Sequence, residues 1–229
     1  MSAPARPAVH ALPAPPELAF AVDGAGVLEH AAAPTLRFDL RIESSPAVAI
    51  RSLSLAVQIR LATTRRGYTA EAQRRLVELF GEPQRWGHTL RSLLWTNVSL
   101  LVPAFTGSTT AQLAVPCTYD LDVASARYLR ALEDGEVPLE LLFSGTIFYA
   151  GPSGELRIAH VPWDREAEFR LPARLWHEMM DRYFPGSAWI RLPRETFDRL
   201  HAYRAARGLP GLEAVIADLL EPREGAAGS

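Results

Sequence analysis

Nucleophiles, imidazoles and carboxylates can do chemistry only at spacings that one site can gather, and in this chain those residue types are scattered. His10, His30, His88, His160, His177 and His201 include no pair at the helical spacing that turns two imidazoles toward one metal. Each reads as a surface or partly buried side chain. Cys117 is the sole thiol, and it falls in the apolar phase of its strand, which suits a small packing residue better than a nucleophile or soft ligand. Tyr119-Asp120-Leu121-Asp122 sets two carboxylates on one face of an extended segment, a pattern open to acid–base or cation-binding work. The simpler expectation is that Asp120 or Asp122 caps the helix that follows. Ser144-Gly145-Thr146 lacks a Gly-x-Ser-x-Gly elbow, and neither a phosphate-cradling glycine loop nor a dinucleotide fingerprint occurs. No catalytic, cofactor-binding or metal-ligating residue is assigned, and the chain is expected not to be an enzyme.

Binding leaves a different signature. Of the tryptophans Trp86, Trp95, Trp163, Trp176 and Trp189, any one is more simply a filler between sheet and helix, yet Trp and Arg are also the residue types favoured in interface hot spots. Trp163 and Asp164, within Val161-Pro162-Trp163-Asp164, and Trp189 and Arg191, within Trp189-Ile190-Arg191-Leu192-Pro193, are the candidate protein-binding residues. The formal net charge of −2 offers no long-range attraction to phosphate backbones or anionic lipid, so neither nucleic acid nor membrane is expected as a partner. With one cysteine there is no intrachain disulfide, Met1 to Pro16 lacks the apolar run of a secretory signal, and no apolar stretch reaches spanning length. A soluble cytoplasmic protein is expected.

The elements that must position these residues follow from periodicity. A chain of 229 residues, 48% hydrophobic and 22% charged, is long enough to bury roughly 70% of its unfolded surface without a metal or disulfide. Val137 to Ala150 is the natural central strand: Leu139, Leu141, Phe143, Ile147 and Tyr149 share one face, Leu142 and Phe148 the other, and large side chains on both faces predict cover on both, by a second sheet and by helices. Before it, residues 1–17, with Pro4, Pro7, Pro13, Pro15 and Pro16 among alanines, read as a disordered arm. Leu18 to Val22 is a short strand, Asp23-Gly24-Ala25-Gly26 a turn, and Val27 to His30 a second short run. Leu36 to Ile42 and Leu53 to Leu61 alternate cleanly and are expected to be antiparallel neighbours joined through Ser44-Ser45-Pro46.

Thr69 caps a helix to Phe80, stopped by Gly81 and Pro83. Trp86 to Trp95 has no clear period. Thr96 to Val102 and Ala111 to Tyr119 are strands, the latter at an edge or bulged because Pro116 cannot donate to a ladder, and Val123 to Leu132 is a helix. Leu156 to Val161 and Ala167 to Leu171 complete a set of strands too densely connected for a parallel fold. The fold class is therefore α+β, an antiparallel β-sandwich or strongly curled sheet with inserted helices. After Pro172 the period turns helical: Leu175 to Tyr183, a helix opened by Pro193 with Phe197 and Leu200 inward, and Leu212 to Leu220. One β-rich domain over 18–220, with its C-terminal helices (172–220) packed on it and a disordered tail over 221–229, is the expected organisation.

Three resemblances bear on function. Leu79-Phe80-Gly81, Val115-Pro116-Cys117-Thr118-Tyr119-Asp120, Gly135-Glu136-Val137-Pro138-Leu139, Phe143-Ser144-Gly145-Thr146, Val161-Pro162-Trp163 and Phe184-Pro185 resemble an uncharacterised bacterial domain-of-unknown-function family encoded beside nickel–iron hydrogenase genes. That resemblance brings no catalytic residue, and implies an accessory or scaffold protein that binds a hydrogenase subunit or maturation factor. Gly145-Thr146-Ile147-Phe148, Phe184-Pro185, Leu192-Pro193 and Phe197-Asp198-Arg199-Leu200 look like the end of the SecB export chaperones, which implies an alternative, the binding of unfolded polypeptide. The strand–helix–helix order after Trp189 resembles ribbon-helix-helix DNA-binding proteins, with Trp189 and Arg191 toward base edges. There Arg191, Arg194, Arg199, Arg204, Arg207 and Arg223 are balanced by Glu195, Asp198, Glu213, Asp218, Glu221 and Glu224, which leaves no electrostatic footprint for DNA.

Overall fold

A computed structural model describes residues 14–120, 123–187 and 190–221. The chain divides into two compact units, residues 1–188 and 189–229. In the first, the strand β7 (Glu136–Ala150) is central. One flank pairs with β3 (Ala49–Leu61), whose far side takes β4 (Leu93–Val102) and the short β5 (Phe105–Thr106). The other flank is shared: β9 (Glu166–Pro172) runs along the first half of β7 and β8 (Leu156–His160) along the second. A second sheet sets β2 (Thr35–Ser45) between β1 (Glu17–Val27) and β6 (Ser108–Pro116). Every pairing is antiparallel. The nine strands among the described residues form an α+β sandwich of two open sheets.

Alternation decides which face is buried. Leu36, Phe38, Leu40 and Ile42 of β2 meet Leu53, Leu55, Val57, Ile59 and Leu61 of β3 and Leu139, Leu141, Phe143 and Ile147 of β7 in one apolar cluster, because a period of two sends alternate side chains inward. Aromatic rings stitch the sheets together: Phe20 stacks on Phe143 at 4.1 Å, and Phe38 meets Trp95 and Phe169 edge-on at 6.3 and 5.8 Å. Pro116 terminates an edge strand, where its missing N–H costs no ladder bond.

Helices close one end of the sandwich, where β3 finishes and β7 begins. In α1 (Ala70–Phe80) the Thr69 hydroxyl accepts from the Ala72 amide at 3.2 Å, and Gly81 ends the helix at φ 75°. The unassigned stretch Trp86 to Trp95 opens, after a 3-10 turn over Pro83–Arg85, as a single helical turn, α2 (Trp86–Thr89), and ends inside β4. The helix α3 (Ala124–Ala131) brings the Tyr128 hydroxyl to 2.8 Å from that of Tyr68, and α4 (Ala173–Tyr183) sinks Trp176, Met179 and Met180 into the core.

Three expectations are corrected here. The Leu36–Ile42 and Leu53–Leu61 strands do not pair; they lie in different sheets, and the segment around Ser44-Ser45-Pro46 carries the chain from one to the other. Asp23 to Gly26 is not a turn: β1 runs on through it, with a bulge between Val22 and Gly24, and the Asp23 carboxylate at that irregularity accepts from Arg41 at 3.1 Å. At the start of α3 the N-cap residue Val123 makes no side-chain cap, and the Asp120 carbonyl accepts from the Val123 amide; Asp122, the other capping candidate, lies outside the described residues. Finally, the second face of β7 is not covered by helices, because the helices are gathered at the end of the sandwich. Ser54, Ala56, Ser99 and Ser144 stand exposed on the outer face of the six-stranded sheet.

In the second unit α5 (Arg194–Arg207) closes at Gly208, φ 63°, and α6 (Leu212–Leu220) follows after a short connection. The two are joined by Asp218, which accepts from the Tyr203 hydroxyl at 2.6 Å and from Arg207 at 2.8 Å. Val215 is buried, whereas Phe197, expected inward, is 43% exposed. Ile190 to Pro193 form no strand.

Candidate functional site

The turn between β8 and β9 is fixed at both ends to β7. The Val161 amide donates to the Gly145 carbonyl at 3.0 Å, and the Phe143 amide to the Arg165 carbonyl at 2.9 Å, while Arg165 closes the turn on the Pro162 carbonyl at 3.2 Å. With Val161 buried beneath it, the rigid Pro162 carries the next side chain outward. Trp163 is 91% exposed, an outlier for a residue type that ordinarily buries most of its large apolar surface.

Register assembles the floor beside it. Ser99, Ala56 and Ser144 are direct cross-strand neighbours on β4, β3 and β7, so three small side chains make a trough running across the strands. One bank is the row Asn97, Gln58 and Leu142, in which Gln58 Nε2 donates to Asn97 Oδ1 at 3.3 Å. The other bank is Leu101, Ser54, Thr146 and His160. Trp163 lines the resulting cavity of about 310 Å³ together with Leu142 and the trough residues. Leu101 in the second bank is 72% exposed, and beyond that bank Phe148 pairs with Ile158, which is 60% exposed. The first bank ends on β9 in Glu166, the exposed cross-strand neighbour of Leu142; further along the sheet Arg65 reaches Glu140 at 2.9 Å and also pairs with Glu168. Between Glu166 and the far edge of β4 the face presents small, apolar, hydroxyl and amide side chains beside Trp163, which suits capture of a polypeptide segment.

Other reactive groups are placed for packing. Cys117 lines a cleft of about 240 Å³ with Trp95, Ser125 and Trp176, whose lining among the described residues contains no histidine or carboxylate. Burial pushes its thiol up to about 12, so it stays protonated and is a poor nucleophile. The Tyr68 and Tyr128 phenols are likewise raised, chiefly by burial, and Tyr68 donates to the Thr63 carbonyl at 2.6 Å. His177 lies 2.6 Å from the Leu132 carbonyl through Nε2. Among the described residues no three His, Cys, Asp or Glu side chains are gathered as a metal site.

Of the candidate binding residues, Trp163 and Asp164 lie on the turn, with the Asp164 carboxylate 4.0 Å from Arg165 Nε. Arg165 also reaches Glu17 at 3.5 Å. Arg191 is exposed in the second unit, and Trp189 lies outside the described residues. Trp86, Trp95 and Trp176 pack in or against the core, as fillers do. Sequence reasoning missed the trough: its only trace is a small residue at one outward position on each of three strands, and the register that aligns them is not written locally.

A family model matches residues 15–227. The chain belongs to a family of unknown function, DUF6084. No curated protein matches it. Solved structures similar to it include the CARDB domain of the PF1109 protein of Pyrococcus furiosus, in complex with di-metal ions, at 10% identity and TM-score 0.27, covering 69% of this chain and 87% of that one. A Bordetella pertussis protein assigned as ApaA matches at 12% identity and TM-score 0.22, covering 69% and 94%. No helix of the described residues is long and apolar enough to cross a membrane.

Proposed function

We propose that this chain is a non-catalytic cytoplasmic accessory or scaffold protein that binds another protein on the outer face of its six-stranded sheet, with Trp163 as the anchor. The observation that carries the reading is the 91% exposure of Trp163 on a turn hydrogen-bonded at both ends to β7. A large aromatic presented to solvent on a turn whose backbone is already ordered offers apolar area without a further cost of ordering the loop, which suits a hot-spot residue. By the resemblance of the Val115–Asp120, Gly135–Leu139 and Val161–Trp163 segments, the first candidate partner is a nickel–iron hydrogenase subunit or maturation factor.

The open sheet face, with small side chains along its trough, also supports a second reading, a SecB-like binder of unfolded chains. The two differ in selectivity: a dedicated partner engages at fixed stoichiometry, whereas a chaperone captures many unrelated unfolded segments and releases them on folding. Affinity capture from native cells with the wild-type chain and with Trp163→Ala, followed by mass spectrometry, tests the proposal. A hydrogenase-related protein recovered with the wild type and lost with the variant is the expected result. Recovery unaffected by the substitution refutes the assignment of the site, and suppression of aggregation of unrelated substrates favours the chaperone reading.

A further inference from the structure

The edge of a sheet exposes a row of unpaired N–H and C=O groups, and natural proteins blunt it with bulges, prolines, charges or very short strands. Among the described strands, each sheet edge but one carries such a device. β1 is bulged between Val22 and Gly24, and β4 slips register opposite Ile59 and Arg60. β6 ends in Pro116, β9 presents Glu166, Glu168 and Arg170, and β5 spans only Phe105–Thr106. β8 has none of these: it holds no proline, keeps an unbroken register with β7, and its arginine, Arg157, is held by Glu155 at 2.7 Å. No described strand pairs with its outer edge. Leu156 and Ile158 stand 64% and 60% exposed, and a cleft of about 660 Å³ follows the strand, lined by Arg157 to His160 and by Ala14 and Pro15.

The ladder fixes which groups are free. The Val161 amide donates to the Gly145 carbonyl at 3.0 Å and the Gly151 amide to the Glu155 carbonyl at 2.8 Å, and bonded pairs alternate with non-bonded ones between them. Arg157 and Ala159, opposite Tyr149 and Ile147, therefore turn their backbone groups toward β7, and those of Leu156, Ile158 and His160 point away. We infer that the β8 strands of two copies of this chain pair antiparallel about a two-fold axis at Ile158, joining two six-stranded sheets into one. Ile158 then meets Ile158 of the second copy, Leu156 meets its His160, and Arg157 meets its Ala159. Every outward group of the three residues is satisfied, in about six hydrogen bonds, and no like charges face each other. Other registers fit less well. A slip of one residue sets outward groups against inward-turned ones, and a slip of two either sets Arg157 opposite Arg157 of the second copy or loses a bonded pair at the end of the strand. The pairing goes beyond the proposed function: it uses the edge of β8 and leaves the trough across β4, β3 and β7 open, with the outer faces of both copies on one side.

Pairing of so short a strand covers less than the ~800 Å² per partner of a permanent interface, so the dimer is reversible. The test is sedimentation velocity on the full chain from ~1 µM to ~1 mM. The wild type should pass from monomer to dimer, and Ile158→Pro, which removes both bonds at the axis, should raise the dissociation constant at least about tenfold. Because the Ile158 N–H points away from β7, that substitution leaves the β7 ladder intact and the far-UV circular dichroism unchanged. Ile158→Lys, which sets two cations face to face on the axis, reads the same change without a backbone restraint. Cysteines read the register. With Cys117 buried, Ile158→Cys should form an interchain disulfide under mild oxidation, since bonded residues lie about 5.5 Å apart across the axis. Leu156→Cys should not, because its counterpart lies about 13 Å further along the strand. A wild type that stays monomeric, a dimer that survives both Ile158→Pro and Ile158→Lys, or equal crosslinking at positions 156 and 158 overturns the inference. A monomer whose partner capture depends on Trp163 removes this inference and leaves the proposed function; a β8 dimer that captures no partner does the reverse.

Discussion

Gly145→Ala is the substitution whose cost follows most directly from the geometry. Gly145 lies opposite Leu55 in the β3–β7 ladder, and a Cβ added there would sit 2.1 Å from the Ser54 carbonyl oxygen and 3.1 Å from Leu55 Cα. A carbon and a carbonyl oxygen do not approach closer than about 3.3 Å, so the two central strands would have to separate by about 1 Å. Two or three ladder hydrogen bonds would lengthen, at about 1 kcal/mol each. The inward neighbours Phe143 and Ile147 would also face a gap that forfeits a quarter to a half of their dispersion contact. The expected loss is about 3 kcal/mol, or a fall in the urea midpoint of about 1.5 M for a slope near 2 kcal/mol/M. Ser144→Ala, an exposed neighbour, should stay within about 0.5 kcal/mol. Equilibrium urea denaturation followed by far-UV circular dichroism measures both. A Gly145→Ala midpoint within error of wild type would mean that β3 and β7 do not approach as described, and the register that builds the trough would fall with it.

The tryptophans should separate stability from binding. Trp176→Ala, which removes a core side chain 1% exposed and packed 5.1 Å from the His177 ring, should cost about 3–5 kcal/mol, while Trp163→Ala should change the unfolding free energy by less than about 0.5 kcal/mol. For Cys117, a thiol raised by burial to about 12 should resist alkylation in the folded protein at pH 8 and react only on unfolding. The folded state holds that proton more tightly than the unfolded state, so the Cys117 contribution to stability is complete below the unfolded thiol pKa, about 8.5. It declines as pH rises toward the folded value, and urea midpoints measured from pH 8 to 11 should fall. Iodoacetamide labelling of native protein at the unfolded rate would contradict the burial of this residue.

What the sequence disclosed follows from what is encoded locally. The phases of the Leu36–Ile42, Leu53–Leu61 and Leu139–Tyr149 strands were legible because a sheet with one buried face must alternate, and α1 was legible because Thr69 and Gly81 mark its ends by their own chemistry. Sheet membership was not. Alternation names a face but no partner, and Ser44-Ser45-Pro46 fits a hairpin and a crossing between sheets equally well. Asp23 to Gly26 has turn composition, yet paired opposite Arg37 and Asp39 its glycines run extended beside a bulge. Trp163 could be flagged by type and by its Pro162 and Asp164 neighbours, but Trp86, Trp95 and Trp176 share that type and are packed away. Exposure depends on which turn carries the ring. The trough exists only through the pairing of three strands distant in the chain.

The central claim, that Trp163 anchors a protein partner without supporting the fold, is tested most directly by titrating the captured partner against wild-type and Trp163→Ala chains of equal stability by isothermal titration calorimetry. Loss of a hot-spot aromatic costs 2 kcal/mol or more, so the account predicts a dissociation constant weakened at least about thirtyfold at unchanged denaturation midpoint. Equal affinities of the two chains, or a weakening matched by a loss of folded protein, would contradict it.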